Sequence, residues 1–365
     1  MKIGMITFHR ARNIGANLQA YSMNQYINDH IARCEIIDFY PNNQTAHRKK
    51  IRKFLSCIKS ILLYRKRAID RKFSRFQKKY YTISSKTYYG DADLMSNPPQ
   101  YDLLLSGSDQ ILNTTLSDVS QSYYLSFENR TKKISYASSF GRTELSEKEY
   151  SLIDVELRKF KHLSVREESA KKIIEERIGA TVELVLDPVF LLSANEWEQI
   201  QKKIKVPDDY ILVYAMEVTS GLIDIVNKAC EEYSLPVFVI YGCSDHRVLE
   251  GTVISDCGPQ EFISYINKAK FVITNSFHGT AFSIVFKKNF ICVSHSSRNA
   301  RLENIMTLID EGEKLVNFSE VNSVIIDYII DGAIALKRLA SYIEKSKKYL
   351  REACQEQAEE QRMDI

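Results

Sequence analysis

Short apolar runs alternate along the chain with longer segments in which apolar residues recur every three or four positions. The runs KIGMITF, CEIIDFY and YDLLLSGS are typical of β-strands, and Ala16–His30 between the first two has helical periodicity. Three later runs continue the series, namely KKISYASSF, HLSVRE and TVELVLDP. Strands that alternate with helices predict parallel βαβ units, and the apolar run Leu103–Leu105 suits a strand covered on both faces. This part of the chain is predicted to form a doubly wound sheet.

The pattern restarts after the segment from Asp187 to Asn195. Four further strands are predicted, at YILVYAM, PVFVIYG, KFVITNS and NFICVS, with helices between them. We therefore expect an α/β protein with two Rossmann-like domains facing a cleft, one over residues 1–190 and one over residues 191–322. Residues 323–365 are expected to form a helical segment that packs back across both domains. Ligands of such sheets bind at the carboxyl ends of the strands.

The cysteines and the lengths of the apolar runs indicate which classes of protein to exclude. The seven cysteines are odd in number, scattered and without a CxxC pair, which argues against a disulfide framework or a zinc site and for a reducing cytoplasm. We expect no metal. The first residues, MKIGMITFHR, predict a strand rather than a signal peptide, and no apolar run approaches the length of a membrane span.

Positive charge is concentrated in a basic segment at about residues 48–80. From Arg48 to Lys79 the sequence has fourteen lysines and arginines against one acid, Asp70. Apolar residues recur there at helical spacing, so we predict one or two amphipathic helices with a cationic face, inserted in the first domain. Such a face can lie on an anionic membrane, or the apolar stripe can pack on the core and leave the basic face solvated. No nucleic-acid-binding motif accompanies the charge, so no nucleic-acid partner is expected.

The segment NSFHGTAFSIVF holds the sharpest chemical signal. A strand ends there, and His278 and Gly279 precede a helix predicted to begin at Thr280. An imidazole beside the N–H groups of a helix start suits an anionic ligand, and Ser276 and Thr280 can add hydroxyl donors or cap the helix. The alternative is a turn or capping histidine without chemistry.

Two loops at the ends of the first-domain strands offer further candidates. In LLLSGSDQILN, Ser108 and Asp109 follow a buried strand, where Asp109 can bind a sugar hydroxyl, act as a base or simply cap a helix. In TFHRARNIGANLQAY, Asn13 and Asn17 lie in the loop after the first strand, and His9 precedes them as a site or a structural histidine. The glycine spacing does not match a dinucleotide fingerprint.

Two basic loops can bind anions. Arg166 in HLSVREESA ends a strand just before a helix near Glu168, where it can pair with phosphate or carboxylate, or form a salt bridge with Glu167, Glu168 or another acid. The loop SHSSRNARLEN is an anion clamp or a polar surface, and its candidates are His295, Ser296, Ser297, Arg298 and Arg301.

Taken together, five pieces resemble the polysaccharide pyruvyl transferase family. They are TFHRARNIGANLQAY, LSGSDQILN, SYASSFG, SVREESA with the later LDPVFLL, and NSFHGTAFSIVFKKNFICVS. The resemblance implies a GT-B-like fold, phosphoenolpyruvate as donor substrate, and no cofactor. His278 matches the family's histidine and Arg166 its SVR arginine. Arg298 stands where relatives have a lysine after a proline, and Ser276 where many have an arginine.

The resemblance also implies roles. Phosphoenolpyruvate carries a phosphate and a carboxylate, for which Arg166, Arg298 and the helix start after His278 are candidates. His278 is the expected acid that protonates the methylene carbon. Asp109 would orient or deprotonate an acceptor hydroxyl, with Ser108 and Asn13 as contacts.

The expected acceptor is a lipid-linked sugar of a surface polysaccharide, which favours membrane contact by the basic segment. The first domain would bind the acceptor and the second the donor. The alternatives are a nucleotide-sugar glycosyltransferase, with Glu217 or Asp245 as the ribose-binding carboxylate, and a homologue that binds anions or glycans without catalysis.

Overall fold

The structure, a computed structural model, describes residues 1–41, 60–116, 120–128, 130–242, 249–297, 299–319 and 325–363. The chain divides into two compact units. The first consists of Met1–Arg12, Ala16–Leu191 and Tyr342–Ile365, and the second of Asn13–Gly15 and Leu192–Ser341.

The first unit is built on a seven-stranded parallel sheet. Its strands are β1 (Lys2–Ile6), β2 (Arg33–Tyr40), β3 (Ile83–Tyr89), β4 (Leu103–Asp109), β5 (Lys132–Ser138), β6 (Ser164–Val165) and β7 (Glu183–Leu184). They lie in the order β3-β2-β1-β4-β5-β6-β7, and every adjacent pair is parallel. The strand order reverses between β1 and β4, so the crevice of this sheet opens beyond their carboxyl ends.

The second unit has a five-stranded parallel sheet. Its strands are β8 (Ile211–Ala215), β9 (Val237–Tyr241), β10 (Thr252–Val253), β11 (Phe271–Thr274) and β12 (Asn289–Cys292). The order is β10-β9-β8-β11-β12, again parallel throughout. The reversal lies between β8 and β11. Two α/β units with parallel sheets confirm the predicted fold class.

Helices connect the strands. In chain order they are α1 (Ile14–His30), α2 (Ser60–Tyr80), α3 (Asp91–Ser96), α4 (Glu147–Leu157), α5 (Glu168–Ile173), α6 (Ala194–Glu198), α7 (Ser220–Tyr233), α8 (Pro259–Lys268), α9 (Phe277–Val285), α10 (Ala300–Leu308) and α11 (Gly332–Met363). Their starts follow local rules: α4 and α6 begin at capping boxes, and the Thr219 side chain caps α7. None of the described helices combines the length and apolarity that crossing a bilayer requires.

Burial explains the apolar strands. Leu103, Leu104 and Leu105 of β4 are fully buried, as are Val213 of β8 and Ile273 of β11. Strands covered on both faces by helices lose their apolar surface to the core from both sides, which stabilises the sheet interior by about 25 cal/mol per Å² of apolar area removed from water.

The last helix, α11, belongs to both units. In the second unit Arg338 bonds the backbone oxygens of Ile309 and Asp310. In the first unit the Tyr349 hydroxyl donates to the Ser135 backbone oxygen at 3.0 Å, and Ser346 Oγ accepts from the Leu186 N–H at 2.8 Å. Residues of α11 thus form hydrogen bonds within each of the two units.

The basic segment lies partly outside the described residues, since residues 42–59 are not among them. In the second half of α2, Phe73 and Phe76 are buried, and the Phe76 ring packs against Tyr21 and Tyr81. The apolar face of this half is thus used in the core. Its charged residues Arg71, Arg75, Lys78 and Lys79 are exposed.

Candidate functional site

His278 lies at the carboxyl end of β11, inside the first turn of α9. The helix begins at Phe277, with Ser276 as its N-cap, whereas the sequence predicted a start at Thr280. The correction follows from the backbone, because the Thr280 N–H already donates to the Ser276 oxygen at 2.9 Å. The Ser276 side chain makes no capping bond, and the Ser276 backbone N–H donates to Thr274 Oγ1 at 3.0 Å.

The surroundings of His278 favour a negatively charged ligand. The imidazole is buried, and its ring meets the Phe277 ring edge to face at 5.3 Å. The first N–H groups of a helix have no intrahelical acceptor, and the helix dipole places partial positive charge there. The imidazole therefore lies next to a helix start whose N–H groups could bind an anion, after β11, where the strand order of this sheet reverses.

Two glycines make room around this turn. A Cβ atom at Gly15, which falls in the same compact unit as His278, would overlap the imidazole at Nδ1. A Cβ at Gly279 would collide with Thr274 Oγ1, so this glycine lets α9 approach β11 closely. The Thr280 hydroxyl, 3.4 Å from Cys292 Sγ, lies in the buried core beside β12. The contact between Gly15 and the histidine was not predicted from the sequence.

Asn275 and Glu217 link the three turns that follow β8, β11 and β12. Asn275 accepts the Met216 N–H at 2.7 Å and donates to the Glu217 backbone oxygen at 2.6 Å. The Glu217 carboxylate accepts the N–H and the hydroxyl of Ser296 at 2.9 and 2.6 Å. These bonds fix the 294–297 loop relative to the start of α9. Asn275 was not predicted as a site residue. Its position at a strand end was the available signal, because a buried side-chain amide needs hydrogen-bond partners for both its carbonyl oxygen and its NH₂ group.

The loop after β12 carries the remaining cations of this region. Arg298 lies outside the described residues. Arg301, in the first turn of α10, has its guanidinium carbon 5.8 Å from the centre of the Phe277 ring. A described arginine therefore lies close to the residue that precedes His278.

In the first unit, Arg166 forms a buried ion-pair cluster. Its Nη2 donates to Asp109 Oδ1 at 2.7 Å and its Nη1 to Asp187 Oδ2. The side chains of Arg166 and Asp187 are 1% and 0% exposed. Burial by itself lowers the pKa of Arg166, but the charges of Asp109 and Asp187 outweigh it and raise the pKa, so the guanidinium stays charged. The structure therefore agrees with the salt-bridge alternative, with Asp109 and Asp187 as partners of Arg166.

Asp109 ends β4 in a left-handed conformation, with φ of 73°. No α-helix begins there, so the interpretation as a helix cap is wrong. A non-glycine residue in this region is strained by about 1 kcal/mol or more and is held by its surroundings, here by the bond to Arg166. Ser108 is buried, and its hydroxyl donates to the Ala137 oxygen at 2.8 Å.

His9 and Asn17 hold the loop between β1 and α1. Both are buried. His9 Nδ1 lies 3.0 Å from the Thr7 oxygen and Nε2 3.4 Å from Asp38 Oδ1. Asn17 donates to the Ala11 oxygen at 2.8 Å and accepts from Gln77 at 2.9 Å. The side chains of His9 and Asn17 thus form hydrogen bonds within the protein that hold the loop preceding Asn13.

Asp38 is the charged centre of that network. Burial by itself raises its pKa, but hydrogen bonds from His9, Arg10 and Thr87 and the charge of Arg10 lower it to about 2.

Among the described residues no group of three or more histidines, cysteines and acids is placed to hold a metal ion.

A model of the polysaccharide pyruvyl transferase family matches residues 13–297. No curated protein sequence matches the chain. The structure is similar to that of Anabaena HepE in complex with UDP and glucose, with a TM-score of 0.54, 10% identity, and coverage of 98% of this chain and 95% of that chain. It is also similar to the Methanocaldococcus jannaschii UDP-GlcNAc 2-epimerase, with a TM-score of 0.50, 14% identity, and coverage of 95% and 94%. At these identities the likeness shows the fold, which is of the GT-B type.

Proposed function

The chain belongs to the polysaccharide pyruvyl transferase family, and from that membership we propose that it moves the enolpyruvyl group of phosphoenolpyruvate onto two hydroxyls of a sugar. The product is a pyruvate ketal, and phosphate is released. The observation that carries the proposal is the buried His278 in the first turn of α9, beside N–H groups that suit a phosphate or carboxylate.

His278 is the proposed general acid. Its imidazolium gives a proton to the methylene carbon of phosphoenolpyruvate, which becomes the methyl group, and C2 takes on oxocarbenium character. One sugar hydroxyl adds to C2, the C2–O bond to phosphate breaks, and the second hydroxyl adds to the same carbon. The hydroxyls lose two protons in all: one replaces the proton given by His278, and the other leaves with phosphate. Imidazole suits this role because it titrates near neutral pH.

The donor anion is proposed to bind at the start of α9 and the loop after β12. The N–H groups of Phe277, His278 and Gly279 would face the ligand, and Arg298, which the sequence resemblance singled out, would supply a cation. Arg166 already forms ion pairs with the carboxylates of Asp109 and Asp187. We therefore assign it to the acceptor through Asp109, whose carboxylate it orients toward a sugar hydroxyl.

The acceptor is proposed to be a lipid-linked sugar of a surface polysaccharide, capsule or exopolysaccharide. The enzyme would then work at the cytoplasmic face of the cell membrane. Exposed cations on α2 would contact anionic headgroups by charge, since the apolar face of its described half packs in the core.

The test measures phosphate release from phosphoenolpyruvate with a panel of lipid-linked or aryl galactosides and N-acetylmannosaminides. His278→Gln keeps the size and hydrogen bonding of the side chain but cannot protonate carbon, so kcat should fall at least a hundredfold. His30→Gln, at an exposed histidine of the first unit, is the matched control and should retain wild-type turnover.

Three outcomes decide between functions. Acceptor-dependent release that His278→Gln abolishes supports pyruvyl transfer. Release that survives in this variant removes the histidine from the mechanism. No release with any acceptor, together with tight binding of a UDP-sugar, supports the nucleotide-sugar glycosyltransferase instead.

A further inference from the structure

Two tyrosines stack at the carboxyl end of the first unit's sheet. Tyr40 and Tyr89 are the last residues of β2 and β3 and are register partners in the parallel ladder. Their ring centres are 5.3 Å apart and their planes differ by 14°. Tyr89 is 41% exposed, although it is a large aromatic residue.

This stack is not required by the core. The preceding residues of the two strands, Phe39 and Tyr88, point the other way and are buried in the hydrophobic core. Side chains alternate between faces of a sheet, so the final pair projects from the opposite face at the strand ends. Carboxyl ends of strands are where doubly wound sheets bind ligands.

A fixed cation completes the arrangement. The Arg10 guanidinium carbon lies 5.0 Å from the centre of the Tyr40 ring. Arg10 is anchored to Asp38 Oδ1 by Nε at 2.7 Å and Nη2 at 2.5 Å, and to Gln77 Oε1 by Nη1 at 3.3 Å. Its side chain keeps 26% exposure.

The anchor itself is rigid. The Asp38 carboxylate accepts the Thr87 hydroxyl at 2.6 Å, and the Asp38 backbone N–H donates to Ser84 Oγ at 2.9 Å. On the β3 side, Asp93 accepts the Tyr89 N–H at 2.9 Å. An aromatic ring and a guanidinium held in place before binding lose little conformational freedom when a ligand arrives.

We propose that Tyr89, Tyr40 and Arg10 form a binding subsite for a pyranose ring of the acceptor. The inference rests on the proposed function, which makes the acceptor a sugar. The C–H face of a pyranose is apolar and packs on the exposed Tyr89 ring, while its hydroxyls accept from Arg10 and exchange hydrogen bonds with the tyrosine hydroxyls.

Saturation-transfer NMR tests the subsite without requiring turnover. The probes are methyl galactoside, methyl glucoside, methyl mannoside and methyl N-acetylmannosaminide, each with the full-length protein. Wild type and Tyr89→Phe should transfer saturation to the sugar ring protons, and Tyr89→Ala should lose at least two thirds of that signal. Tyr342→Ala is the matched control because Tyr342 is a tyrosine of the same unit with 38% exposure. It should keep the wild-type signal.

Equal signals from wild type and Tyr89→Ala, or no signal from wild type with any glycoside, overturn the subsite. Thermal unfolding of each variant confirms that the chain is folded. The proposed function fails separately, through the absence of phosphate release, so loss of one does not imply loss of the other.

Discussion

His295 Nδ1 lies 3.2 Å from a carboxylate oxygen of Glu217, in the second unit. The same carboxylate accepts two bonds from Ser296. Glu217 follows β8 and His295 follows β12, with β11 and its His278 turn between these strands in the sheet. One side chain thus positions the loop that was predicted to be either an anion clamp or a polar surface.

Removing the charge of Glu217 should weaken donor binding. Glu217→Gln retains one acceptor oxygen for Ser296 but loses the charge of the carboxylate, and a hydrogen bond to a charged group is worth about 1.5 kcal/mol or more. We expect the KM for phosphoenolpyruvate to rise about tenfold while kcat stays within threefold. Glu198→Gln is the control, since Glu198 bonds Asn267 on an exposed surface. A fall in kcat at unchanged KM would contradict the positioning role.

A methyl group at Gly15 should displace the imidazole of His278, the proposed general acid. Gly15→Ala places Cβ where the His278 ring lies, so the ring must move. A displacement of about 1 Å can cost a hundredfold in rate, and we expect kcat to fall between tenfold and a hundredfold. Gly312→Ala is the matched control, because nothing lies within 4 Å of its Cβ. Steady-state phosphate release measures both. Wild-type turnover in Gly15→Ala would show that the ring position does not matter.

Loss of the Arg166 guanidinium should destabilise the first unit. Arg166→Met leaves the carboxylates of Asp109 and Asp187 near each other without their cation, and breaking a buried pair costs about 3–5 kcal/mol. Asp154→Asn removes an exposed helix pair with Arg158 and should cost less than about 1 kcal/mol. Urea unfolding monitored by circular dichroism measures both. Similar midpoints for the two variants would show that the buried cluster contributes little.

Asp38 should make stability depend on pH in the acid range. Its pKa falls from an ordinary 3.8 to about 2 in the folded protein, so its ionised form stabilises the fold by about 2 kcal/mol. This contribution is complete above the unfolded pKa and disappears as pH falls through about 2. Asp38→Asn should therefore unfold at a lower temperature than wild type at pH 6, with the gap narrowing below pH 4. A gap that is constant from pH 6 to pH 3 would exclude this linkage.

The exposed cations of α2 should bind anionic vesicles. Each basic residue near such a surface contributes about 1 kcal/mol. We expect wild type to sediment with phosphatidylglycerol vesicles at low salt and to be released by 0.5 M NaCl. A variant with four charge reversals to Glu should lose vesicle binding. The four residues are Arg71, Arg75, Lys78 and Lys79.

The matched control reverses four exposed lysines of the second unit, namely Lys203, Lys205, Lys268 and Lys270. It changes the net charge by the same amount and should leave binding within twofold of wild type. Equal loss in both variants would mean that overall charge, and not the α2 surface, drives association.

Several elements were predictable from local pattern alone. The buried strand at Leu103–Leu105 and the helix up to His30 follow from apolar runs and helical periodicity. The strand β3 was not predicted, because ISSKTYY is largely polar and only Tyr88 of it is buried. It forms a strand because β2 offers a free edge, which is a property of the neighbour and not of the segment.

The same distinction applies to the candidate site: the positions of its residues along the chain were predictable, and their pairings were not. The positions of His278, Asp109 and Arg166 at strand ends follow from the order of strands and helices along the chain. The pairing of Arg166 with Asp187 joins residues twenty-one positions apart and could not be chosen from the several acids available.

The chain order of apolar and polar residues determined most of the strands and helices and their alternation, because these depend on interactions between residues near in sequence. The alternation in turn predicts parallel βαβ units. Only the tertiary structure decided which acid neutralises Arg166, which glycine makes room for His278 and which tyrosines stack. Such choices depend on distances between segments far apart in the chain, and side-chain type sets the strength of a contact but not its partner.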